Sequence, residues 1–155
     1  MTDRRAELRA TIAAAYDSLA STLDGIGADE WRRPSPNEGW TAKDTLAHLT
    51  TIDERIRGMV RSALDGSATQ VEDIDVFNAR KVEERHAWSV AQLRAELEQQ
   101  RATSLALFDR TGADDLDRPF EHPRRGRVTV EQLWRIIPNH IAAHLRDIEA
   151  ARAGA

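Results

Sequence analysis

Apolar residues recur every three or four positions in four long stretches of this chain, and that period commits it to amphipathic helices packed on one another. In the first stretch Leu8, Ile12, Tyr16, Leu19, Leu23 and Ile26 mark one face, with Gly25 and Gly27 as the stop. The spacing predicts a helix over roughly residues 3 to 25. Thr41 with Asp44 opens the second, whose apolar face runs through Leu46, Leu49, Ile52, Ile56, Met59, Val60 and Leu64 as one continuous helix until Gly66. Ser89 with Gln92 opens the third, through Val90, Leu93, Leu97, Leu105 and Phe108 toward Gly112. Thr129 with Gln132 opens the last, through Leu133, Trp134, Ile137, Ile141, Leu145 and Ile148.

Between them, residues 28–39 carry Pro34, Pro36, Asn37 and Gly39 and read as a loop with one short turn near Trp31. Residues 67–73 form a connector, followed by a shorter helix over Ile74 to His86 with Val76, Phe77 and Val82 as buried positions. Residues 113–127, with Pro119, Pro123 and Gly126, read as a long charged loop, and no stretch has the alternation of a strand. The expected fold is all-α: a four-helix bundle with an additional short helix before the third long one, forming a single domain over residues 1–155.

Composition narrows the chemistry. There is no cysteine, so disulfides, cysteine-ligated zinc and a cysteine nucleophile are excluded, and any thiolate must arrive with a cofactor. A formal charge of -4 argues against a nucleic-acid partner, whose binding rests on a basic surface. No apolar run is long enough to span a bilayer, and Asp3-Arg4-Arg5 leads into a periodic polar helix instead of a signal-peptide core. The expectation is a cytoplasmic protein with no membrane partner.

The sharpest chemical signal is a pair of histidines. His140 and His144 are four residues apart, which on a helix separates side chains by only about 40°. Both flank the stripe of Ile137, Ile141 and Ile148, and His48 sits within a turn of Leu49 and Ile52. If the second and last helices are neighbours, three imidazoles converge from two rigid elements on one divalent metal ion. Taken singly, each histidine also fits a hydrogen-bonded residue at the edge of a core.

The run Gly39-Trp40-Thr41-Ala42-Lys43-Asp44-Thr45-Leu46-Ala47-His48, paired with Asn139-His140-Ile141-Ala142-Ala143-His144, resembles the DinB/YfiT-like superfamily over nearly the whole chain. The resemblance implies a four-helix bundle and a metal triad of one histidine from Trp-x-x-[Lys/Arg]-Asp-x-x-x-His and two later ligands spaced by four. His48 matches the first, and His140 and His144 the pair. It also implies a low-molecular-weight thiol co-substrate, mycothiol or bacillithiol, and the dimerisation common in the superfamily. Many relatives carry a glutamine before the isoleucine that follows the last motif, where this chain has Asp147.

Asp147, one turn past His144, either hydrogen-bonds a ligand imidazole or is simply solvated. Asp44 either orients His48 or caps the helix, and its place three residues after Thr41 favours capping. Arg124, Arg125 and Arg127 bring three guanidinium groups to one loop, suited to gripping a carboxylate or phosphate, though such clusters are more often solvated turns. His86 and His122 lie near breaks and serve as proton donors only if their loops fold over the site. Trp40 either walls the metal cavity or staples the helix entrance, Trp31, Trp88 and Trp134 read as packing residues, and Pro138 should kink the last helix.

A three-histidine site leaves a coordination position open, as in catalytic centres. Zinc or nickel, with iron as a further candidate, suits neutral imidazoles. Three functions follow: a thiol S-transferase or isomerase acting on a small electrophile, a metal-dependent hydrolase, or a metal-binding stress or interaction protein without turnover. The first is what the resemblance favours. A fourth protein ligand closing the site would favour the last.

Overall fold

Most of the helices begin where a side chain can satisfy their first amide groups. The computed structural model describes residues 3–67 and 71–154. Asp3 caps α1 (Arg4–Asp24) by accepting from the amides of Arg5 and Ala6. Reciprocal capping boxes start α2 (Ala42–Leu49) at Thr41 and Asp44, α5 (Val90–Asp109) at Ser89 and Gln92, and α6 (Val130–Arg152) at Thr129 and Gln132. Between α2 and α5 lie α3 (Ile52–Asp65) and the short α4 (Ile74–Glu84). A 3-10 turn at Glu30–Arg32 interrupts the first loop where a turn was expected.

The bundle is formed by α1, the α2–α3 pair, α5 and α6. Helix α6 packs against α1, α2 and α3, while α5 packs against α1 and α3. Helices α1 and α3 therefore lie on opposite sides of the core and meet through it, where the Tyr16 hydroxyl donates to the Asp53 carboxylate. Leu8, Ile12, Leu19, Leu93, Phe108, Leu133 and Trp134 are buried in that core. The Phe108 and Trp134 rings meet edge to face at 5.3 Å. Helix α4 is the additional short helix and lies against α2.

Three expectations need correction. The second helix is not continuous: it breaks at Thr50 and Thr51, whose hydroxyls bond back to the carbonyls of Ala47 at 2.6 Å and His48 at 2.9 Å. Two successive β-branched residues that engage their own preceding turn compete with the amides that would continue the helix. His48 consequently sits in the last turn of α2.

Val76 is 57% exposed, whereas its neighbours Phe77 and Val82 are buried as expected. On a helix as short as α4, only the face toward α2 finds cover.

The loop expected at residues 113–127 contains a 3-10 turn at Asp114–Asp117 and then an antiparallel hairpin, β1 (Pro119–His122) with β2 (Gly126–Thr129). His122 pairs with Gly126 across a three-residue turn, and Gly126 has φ +72°, the left-handed position such a turn requires. The His122 Nδ1 accepts the amides of Arg124 and Arg125 at 3.1 and 3.2 Å and so braces the turn from within. Four-residue strands are too short to show a period, and Pro119 and Pro123 disguise them further.

Helix α6 runs through the buried Pro138 as one element, so the missing amide costs one hydrogen bond and does not end the helix. Residues 68–70 of the expected connector lie outside the described residues. No helix among the described residues is long and apolar enough to cross a membrane.

Candidate metal centre

The packing of α2 against α6 brings His48 to His140 and His144. One ligating atom from each of the three lies within 4.8 Å of the others, the only such cluster of three ligand-type side chains among the described residues. His48 Nε2 and His140 Nε2 are 2.8 Å apart. The ring centroids are separated by 4.6 Å from His48 to each partner and by 4.4 Å between His140 and His144, all edge to face. The four-residue spacing on one helix supplies the second and third imidazoles, and the break after α2 leaves the first at a helix end pointing the same way.

Burial sets the protonation state. It pushes His48 down to about 3, with the nearby His144 adding to the effect. His140 is pushed well below its ordinary value by burial, then by His48, His144 and Arg125. Burial also lowers His144, although Asp147 pulls it back upward. All three are therefore neutral imidazoles near pH 7, the form that ligates metals.

The donor set fits a divalent ion. His144 Nδ1 lies 3.0 Å from Asp147 Oδ2, which places the proton on Nδ1 and leaves Nε2 as the ligating nitrogen. Asp147 Oδ2 in turn accepts from Asn37 Nδ2 at 3.1 Å. Two imidazole nitrogens held 2.8 Å apart can satisfy each other only if one carries a proton, whereas a shared cation satisfies both. Among the described residues the Nδ1 atoms of His48 and His140 are buried without a hydrogen-bond partner, so only His144 is oriented through its second ring nitrogen.

The triad forms the floor of a cavity of about 530 Å³, within the range of small-molecule sites. Trp40, Ile52, Ile56, Met59 and Ile136 supply apolar wall, and the Trp40 ring lies 5.1 Å from that of His48. His122, Arg124 and Arg125 of the hairpin line it as well.

With the fold and this centre in view, the family assignment follows from the sequence profile described as the DinB superfamily, which matches residues 6–148. The chain belongs to the DinB superfamily. No curated protein matches its sequence significantly. Among solved structures, the mycothiol-dependent maleylpyruvate isomerase superposes with a TM-score of 0.82 at 16% identity, over 96% of this chain. The chain spans only 63% of that enzyme's length. YfiT from Bacillus subtilis, described as a probable metal-dependent hydrolase with an unusual four-helix bundle topology, superposes with a TM-score of 0.76 at 16% identity, covering 99% of this chain and 90% of its own. The sibling lethal factor precursor DfsB gives 0.75 at 16% identity, covering 96% and 95%. At these identities the likeness is one of fold.

Within this DinB-superfamily bundle the other residues singled out by sequence separate cleanly. Asp147 contacts a triad imidazole, and its bonds go to His144 and Asn37. Asp44 caps α2 through Thr41 and faces His86 Nδ1 at 3.4 Å, so its contacts are structural. His86 is exposed, whereas His122 belongs to the cavity. Trp40 is a cavity wall. Of the arginines, Arg124 is tied to Asp73 at 3.3 Å and Asp75 at 2.9 Å. Arg127 lines an adjoining outer hollow that shares Arg125 and Ile136 with the triad's cavity, and of these three arginines only Arg124 and Arg125 line the cavity itself. Sequence reasoning passed over Asn37 as a loop former and over Arg55, which also lines the cavity. The signal for Arg55 was present: it falls on the apolar face between Ile52, Ile56 and Met59, where a charged residue needs a reason.

Proposed function

We propose that this DinB-superfamily protein is a metal-dependent enzyme that uses a low-molecular-weight thiol, mycothiol or bacillithiol, to add to or isomerise a small electrophile. The observation that carries this reading is the triad at the floor of a cavity of about 530 Å³, with no fourth ligating residue in the cluster among the described residues. A centre that merely braces a bundle has no need of an adjoining cavity or of an open coordination position. When bound, a divalent ion at this triad acts as a Lewis acid and lowers the pKa of a thiol or water beside it.

The chain's own residues do the rest. His48, His140 and His144 are held neutral by burial, and Asp147 with Asn37 fixes the rotation of His144. Trp40, Ile56 and Met59 give the cavity apolar surface beside the triad, a setting in which electrostatic interactions are stronger than in open water. The chain has no cysteine, so the sulfur must be brought by a co-substrate, whose thiol proton passes to solvent water before the sulfur attacks the electrophilic carbon. The fold shared with the mycothiol-dependent isomerase supports this choice, and the fold shared with YfiT supports the hydrolase as the second reading.

The test is metal analysis of untagged protein purified without chelator, followed by assay of thiol consumption with electrophiles and either thiol. About one ion per chain, and thiol consumption that disappears in the His48, His140 and His144 to Ala triple variant, is the expected result. Metal-dependent ester or amide cleavage without thiol would replace the transferase by the hydrolase. Full occupancy with no turnover of any kind would leave a metal-binding protein without catalysis.

A further inference from the structure

Arg55 presents a buried charge that forms no ion pair among the described residues. It is 9% exposed on α3, and a buried guanidinium is ordinarily paired with a carboxylate. Among the described residues no carboxylate oxygen lies within 4.0 Å of it. Its Nη1 donates to the main-chain carbonyl of Glu72 at 2.6 Å, and the guanidinium lies over the Phe77 ring at 5.4 Å. Glu72 and Asp73 act on it through space, but each is paired with another arginine: Glu72 with Arg80 at 2.8 Å, and Asp73, which also caps α4, with Arg124.

Arg125, at the tip of the hairpin, has no ion pair among the described residues either, and it lines the same cavity. His122 stands in the field of both cations, which together with burial lower its basicity. Because its Nδ1 accepts two backbone amides, the remaining proton sits on Nε2, and the neutral ring offers one N–H donor. Arg125 also acts on His140, so its charge is felt at the triad as well as at His122.

The geometry points to an oxyanion subsite formed by Arg55, His122 and Arg125 beside the histidine triad, so that the ligand of this cavity is a small molecule carrying a carboxylate or phosphate group. Two guanidinium groups and one N–H provide charge-assisted donors suited to such a group. Arg55 is preorganised by Phe77 and the Glu72 carbonyl, whereas Arg125 comes from an exposed turn. The ligand's anionic end is held by α3 and the hairpin, and the remainder lies over the imidazoles. This inference deepens the proposed function by naming what the electrophile or its co-substrate must carry, and it rests on that reading only in sharing its cavity.

The experiment is titration of metal-free protein with succinate and, separately, with inorganic phosphate, followed by calorimetry and by shifts of the arginine Nε–H resonances. Wild type should bind one of the two probes at one site, and the preferred probe assigns the ligand group. Arg55→Gln and Arg125→Gln should each weaken that binding by roughly tenfold or more, the loss expected for one charge-assisted contact. Arg127→Gln, in the outer hollow, should bind as wild type does. Arg125 is exposed, so its variant keeps the test valid even if Arg55→Gln fails to fold. Absence of binding of both probes to wild type, or unchanged affinity in Arg125→Gln, would overturn the subsite. Because the titration uses metal-free protein while the metal centre is tested by metal analysis, a failed metal centre and a failed anion subsite give different results.

Discussion

His48 Nε2 and His140 Nε2 lie 2.8 Å apart although 92 positions separate them along the chain. One imidazole ends α2 and the other lies within α6, so this contact is set by how two helices pack. It defines the point at which a cation would be shared.

Loading that point should stabilise the fold. A ligand that binds only the native state adds about 2.7 kcal/mol at a hundredfold excess over its Kd. Zinc or nickel should therefore raise the melting temperature of the wild-type protein, a chelator should reverse the gain, and His144→Ala should show neither while remaining helical by circular dichroism. An equal rise in the variant would place the ion elsewhere.

Asp147→Asn should weaken metal binding without abolishing it. The carboxylate that holds His144 Nδ1 at 3.0 Å becomes a neutral amide, and loss of such a supporting carboxylate typically costs about 10- to 100-fold in affinity. Competition against a chelator of known affinity measures the change. Affinity equal to wild type would mean that Asp147 serves α6 and not the centre.

The core carries another buried titratable group, Asp53, held between Tyr16 and Ser104. Burial pushes Asp53 up to about 6 from 3.8, opposed by the Ser104 hydroxyl and by Arg57. Its folded value exceeds its unfolded one, so its contribution to stability is fully present below pH 3.8 and is lost as pH rises through about 6. Asp53→Asn keeps an acceptor for Tyr16 and Ser104 but removes the titration. Urea denaturation across this window should show the variant gaining on wild type as pH rises, by on the order of 3 kcal/mol in total. Parallel pH profiles for the two proteins would contradict the assignment.

Gly126→Ala tests the hairpin that carries Arg125. A Cβ there would meet nothing within 4 Å, so the penalty is purely that of φ +72°, about 1–2 kcal/mol for a residue other than glycine. Chemical denaturation should register that loss, and metal affinity should be unchanged because the triad lies on α2 and α6. A variant as stable as wild type would mean that the turn adapts without strain.

The difference between what could be read along the chain and what could not follows the range of the interactions involved. Caps at Asp3, Thr41, Ser89 and Thr129 depend on residues two or three positions away, and the buried faces of α1 and α6 repeat within one turn. Such features are local, and they appear in a linear reading. The break at Thr50 and Thr51 is local too, but the apolar pattern runs straight across it and hides it. The hairpin eluded the reading because its pairing joins Pro119 to Thr129 through strands too short to show a period.

By itself the sequence determined the starts of the first, second, third and last long helical stretches, the absence of any protein thiol and the pairing of His140 with His144 on one face, because each depends on identity and short-range spacing alone. Only the tertiary structure brought His48, already named by its motif, against them, tied Asp147 to Asn37 of a distant loop as well as to His144, and set Arg55 and Arg125 along one cavity while Arg124 is paired with Asp73 and Asp75 and Arg127 lines the adjoining hollow. Those outcomes depend on which helices become neighbours and on which charges find partners when water is excluded. No spacing along the chain encodes either.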